Sequence, residues 1–123
     1  MANEFLDVLS SAPAVRGDPA ALAVLDEFCD GIRAFTGERV LCWRESGFIT
    51  NLGQEWRVLL KPAVRDYQQV LLRAHVPVDA FPVHLDLYEE AMVVCADAAS
   101  LREQLKRFLQ QSSVRETLTY LSR

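Results

Sequence analysis

A histidine and an aspartate two residues apart, His84-x-Asp86, come closest in this chain to residues whose types and spacing could do chemistry. Successive side chains of a strand alternate between faces, so both would stand on the same face. An imidazole beside a carboxylate can hold a divalent cation, or act as a general base with its orienting partner. The corresponding expectation is a small metal-dependent or general acid/base enzyme centred on His84 and Asp86. A closed metal site needs further ligands at defined spacing, and the sequence supplies none beside this pair. Tyr88, Glu89 and Glu90 continue the same polar surface, which makes the stretch equally suited to holding a partner. His75 precedes Val76-Pro77 and reads as a hydrogen-bonded residue near a strand edge. It joins His84 only if the register brings their strands together.

Other reactive groups read as structural. Cys29, Cys42 and Cys95 are odd in number, widely spaced and set among apolar neighbours. That pattern fits buried core thiols better than a disulfide framework or a zinc site. The serines lie in no Gly-x-Ser-x-Gly elbow, and the five glycines form no phosphate-binding loop. The sequence therefore implies no cofactor. Trp56 is expected in the core, whereas Trp43 suits either the core or an interface. Arg44, Arg57 and Arg73 would make a basic, base-stacking face only if the register aligned them.

The charge balance bears on partners. The chain carries a net charge of −4, yet residues 101–123 hold five bases and only two acids, so the body before them is acidic. Phosphate contacts require a basic footprint, which argues against nucleic acid as the main ligand. Half the 123 residues are hydrophobic and 24% are charged, the composition of one globular domain. Apolar runs fall well short of the roughly 18 residues that cross a bilayer. The opening MANEFLDVLSS has acids and no basic region ahead of its apolar residues, unlike a secretory leader. The expected location is the cytoplasm, with no membrane partner.

The elements that must position these side chains follow from periodicity. Asn3 caps an expected short helix over residues 4–10, with Phe5, Leu6 and Leu9 on one side. Asp18-Pro19 is a second start signal, a capping carboxylate followed by proline at the first helical position. Leu22, Leu25, Phe28, Cys29, Ile32 and Phe35 then recur at helical spacing, and Gly37 supplies the stop. Strands are expected over residues 39–44, 56–60, 67–76, 83–88 and 91–96, with a turn at Glu45-Ser46-Gly47 and strand propensity again in Phe48-Ile49-Thr50. Residues 70–72 (VLL) also fit a buried helical turn. The 91–96 run (AMVVCA) reads as a strand buried on both faces, joined to 83–88 by a hairpin. Asp97 caps a helix with Leu101, Leu105, Phe108 and Leu109 as its stripe. Ser113 and Glu116 have capping-box spacing for a last helix with Val114, Leu118 and Leu121 buried.

The expected fold is α+β: a single domain whose antiparallel sheet of four to six strands has helices at its N- and C-terminal ends, in the order ααββββαα. Its core faces are plain packing, so function is expected on the outward side at His84, Asp86 and Tyr88, in the Glu89-Glu90 turn, and at Trp43. The favoured class is a small acidic, non-catalytic protein-binding module. Bacterial immunity proteins, antitoxin-like inhibitors and secretion chaperones have that size and charge, an analogy resting on no shared motif. The expected partner is another protein, a toxin, effector or regulatory partner. A second copy of the chain, paired through the Pro19–Phe35 helix or a sheet edge near Trp43, is the further candidate.

Overall fold

A computed structural model describes residues 17–78, 80–87 and 91–123. Three helices and five strands follow one another as α1 (Pro19–Phe35), β1 (Val40–Thr50), β2 (Gly53–Pro62), β3 (Gln69–Val76), β4 (Val83–Asp86), β5 (Val93–Cys95), α2 (Ala98–Gln110) and α3 (Ser112–Leu121). This is the mixed α+β arrangement read from the sequence. The sheet is an antiparallel meander in which spatial order equals chain order, β1-β2-β3-β4-β5. The helix expected over residues 4–10 lies outside the described residues, as do Tyr88, Glu89 and Glu90.

α1 begins and ends where the sequence places it. The Asp18 carboxylate accepts from the amides of Ala20 and Ala21 at 2.9 and 3.2 Å, satisfying two of the free donors of the first turn. Gly37 and Glu38 after it both have positive φ, 59° and 63°, and turn the chain into β1. Leu22, Leu25, Phe28, Cys29 and Ile32 are buried against the sheet. Phe35 is not: it stands 57% exposed at the last turn, past the reach of the core, with the Arg115 guanidinium 5.6 Å from its ring centroid.

β1 departs from the sequence expectation. Residues 45–47 continue the strand instead of turning, and the register with β2 shifts between Ser46 and Ile49, a bulge that absorbs Gly47 and Phe48. The reversal comes later, where Thr50 Oγ1 accepts from the Leu52 amide and donates to the Gly53 carbonyl. Gly53 has φ 118°, and a Cβ there would meet the Val76 carbonyl oxygen at 2.5 Å, so only glycine fits. The VLL triplet is strand, not helix: Val58 pairs with Leu72 and Leu59 with Val70, leaving Leu71 as the bulged residue. Both leucines are thereby buried. β5 is shorter than expected and not buried on both faces, since it is an edge strand whose Val94 points outward at 59% exposure.

Asp97 caps α2 as anticipated, accepting from the Ser100 amide at 2.7 Å while the Ser100 hydroxyl accepts from the Asp97 amide. Ser113 does not cap α3. The helix begins two residues earlier than a Ser113 cap would place it, with Gln111 at its cap position and no side-chain bond there, and the Ser113 carbonyl accepts from Thr117 Oγ1. Val114, Leu118 and Leu121 nonetheless pack into the core. That core lies between the helices and one face of the sheet, where Val40, Cys42, Trp56, Val58, Leu60, Leu72, Ala74, Val76, Val83, Leu85 and Cys95 meet α1, α2 and α3. Among the described residues, no helix is long and apolar enough to cross a membrane.

Candidate functional site: the outward face of the sheet

One register step away from each core residue, the strands present a different surface. Directly paired residues of antiparallel strands share a face, so the pairings assemble three rows there. The first runs Trp43–Leu59–Val70. The second runs Glu45–Arg57–Arg73–Asp86 across four strands, with acids at its ends and the two arginines adjacent. The third runs Glu55–His75–His84–Val94.

The two histidines thus become direct partners, His75 on the central strand and His84 on β4. His75 is accordingly no edge residue. It is buried to 8% exposure, with Nδ1 3.3 Å from Thr50 Oγ1. Among the described residues, His84 Nδ1 is shielded from solvent and has no hydrogen-bond partner, and the same holds for Arg57 Nε. Asp86 faces Arg73 across the β3–β4 ladder. Arg73 Nε in turn lies 3.9 Å from Glu55 Oε2, a long ion pair at a half-buried site. The Trp43 indole Nε1 donates to Glu45 Oε1 at 3.3 Å, linking the first row to the second. Gly47 lies beside these rows because a Cβ there would collide with the Glu55 carboxylate.

Of the residues singled out in the sequence, His84, Asp86 and Trp43 therefore share one face, and His75 joins them. Arg57 and Arg73 do align, while Arg44 points to the opposite side. There its guanidinium lies 4.5 Å from the Trp56 ring centroid and binds Asp26 of α1 twice, through Nε at 2.7 Å and Nη2 at 3.1 Å. Trp56 is core, as expected. Chemically, the outward face offers paired imidazoles beside a pair of arginines flanked by acids. Among the described residues, no cluster of three or more histidine, cysteine or carboxylate side chains is placed to hold a metal ion.

No local signal marks Glu45 and Glu55 as members of this surface. Their places depend on the β1–β2 and β2–β3 registers, and neither is marked by a turn motif. Strand alternation did indicate that His84 and Asp86 would share a face.

Beside these rows runs the free side of β1. An eleven-residue strand at the edge of the sheet has no neighbour on its outer side among the described residues. It ends in Phe48 and Ile49, 82% and 63% exposed. Comparisons with protein-family models, with curated proteins and with solved structures returned no match, so no function is carried over from a relative.

Proposed function

We propose that the protein is a small, acidic, non-catalytic binding module that takes a protein partner along β1 and the outward face beside it. The observation that carries this reading is the long open edge of β1. Unpaired strand edges template added strands, and proteins usually blunt them with short length, proline or inward charge. β1 is long and has no proline, its one inward charge, Arg44, is held by Asp26 of α1, and its tip presents apolar Phe48 and Ile49 to solvent. In such a mode, backbone hydrogen bonds supply affinity while neighbouring side chains select the partner. Trp43, His84 and Asp86 are the selecting residues, around adjacent arginines flanked by acids, which favours a partner with the complementary charge pattern.

A module of this kind belongs with immunity proteins, inhibitors and secretion chaperones acting on a toxin, effector or regulatory partner in the bacterial cytoplasm. The acidic body disfavours nucleic acid as that partner. The test is site-specific photocrosslinking in the native host, with the reactive residue placed at Leu41, Phe48, Val94 or Tyr120 in turn. One discrete protein adduct from Leu41 and Phe48, absent from Val94 and Tyr120, supports the reading. Adducts from the helical side alone, or none from β1, would reject it.

A further inference from the structure

Two of the three thiols, far apart in the sequence, are brought together where α1 packs on β1. Cys29 projects from the buried stripe of α1 and Cys42 from the core face of β1, and both line one cleft between the two elements. Cys95 sits on β5 at the other edge of the sheet. The thiol pair forms the floor of an open cleft of about 390 Å³, rimmed by Asp26, Asp30, Arg33 and Arg44. Both thiols are free.

We propose that Cys29 and Cys42 are a redox pair that closes to a disulfide when a hydroperoxide enters this cleft, fastening α1 to β1. The chemistry is complete with that oxidant. One thiol gives a sulfenic acid as the peroxide O–O bond breaks and the alcohol leaves, or water when the oxidant is hydrogen peroxide. The second sulfur then attacks the sulfenic sulfur, forming the S–S bond and releasing water. Two thiols and one hydroperoxide group thus yield one disulfide, one water and one alcohol, or two waters when the oxidant is hydrogen peroxide.

Reaction in the resting state is slow by construction. The Cys42 thiol is held protonated well above the ordinary thiol range, first by the Cys29 thiol beside it and then by burial, with Arg33 opposing. Once formed, the bond closes a short loop through the α1–β1 turn, which restricts the unfolded chain. It also fixes the base of β1, next to Trp43.

The full-length protein, folded and free of reductant, is treated with hydrogen peroxide, digested with trypsin without reduction and mapped by mass spectrometry. Cleavage after Arg33 and Arg39 separates the two cysteines, so a crosslink joins two distinct peptides. The expected product contains Cys29 joined to Cys42, with Cys95 still free and a higher Tm that reductant reverses. The Cys95→Ser variant forms the same product, and Cys29→Ser leaves Cys42 unlinked. Persistence of all three thiols, a bond to Cys95, dimers through disulfides, or sulfinic acid at either residue would overturn the assignment.

Discussion

Trp56, Ala74 and Leu85 line up across β2, β3 and β4 on the helix side of the sheet; one residue along, Arg57, Arg73 and Asp86 line up on the other. The first row is dry and fully enclosed by helices. The second is a series of charges whose near neighbours are histidines and a long ion pair. The same backbone ladder builds both, so the difference lies in side chains alone. On the helix side, one apolar residue substitutes for another with little loss of meaning, because burial of area is what matters there. On the outward side charged and imidazole groups predominate, with Leu59 and His75 buried among them. Buried apolar area is therefore concentrated on one face, and the proposed recognition falls on the other.

That contrast can be broken by mutation. Leu85→Ala, at a fully enclosed position on β4, should cost about 2–5 kcal/mol in urea unfolding, from lost transfer energy plus the cavity left behind. A loss below about 1 kcal/mol would mean that the enclosed face is not where stability lies.

The enclosed thiols give a pH signature. Cys42 and Cys95 have folded pKa values raised above the ordinary 9.0, by the Cys29 thiol and burial for the first and by burial for the second. Above about pH 9 the unfolded chain loses protons that the folded chain keeps. Unfolding then becomes easier by up to about 1.4 kcal/mol per pH unit for each thiol. Unfolding free energy measured from pH 8 to 10 should fall with this slope, and replacing Cys42 with alanine should reduce the slope. A flat profile in the parent protein would remove this account of the buried thiols.

Arg44 sharpens the comparison because it is a charge on the enclosed side. Its contacts are a stacked ring and a bidentate carboxylate on α1, with the arginine side chain 23% exposed and Asp26 54% exposed. Arg44→Ala should cost about 1 kcal/mol after allowance for solvent screening. Half of that cost should persist in high salt if ring stacking contributes as proposed.

The smallest effects belong to the outward side. Phe48→Ser and Glu45→Gln should change stability by less than about 0.5 kcal/mol, while weakening partner capture in the same preparations. A large stability loss from either would show that the two faces are not divided in this way.

What could be read in advance follows the same division. Helix α1 was legible to its end residues because Asp18-Pro19 and Gly37 are local signals that act through backbone geometry. The enclosed strands were legible through alternation in residues 56–60 and 83–87. Register was not. The pairing of separate strands brings His75 to His84, Arg57 to Arg73 and Glu45 to Arg57, and no local motif announces it. The contact between Cys29 and Cys42 was hidden for a related reason. Each thiol occupied an expected apolar position, and only the docking of α1 on β1 made them neighbours.

Amide hydrogen exchange of the protein alone and with its captured partner tests the division of the two faces most directly. Binding along the open edge predicts new protection in β1, with β5, α2 and α3 unchanged. Protection confined to the helices, with β1 exchanging as it does in the free protein, would contradict it.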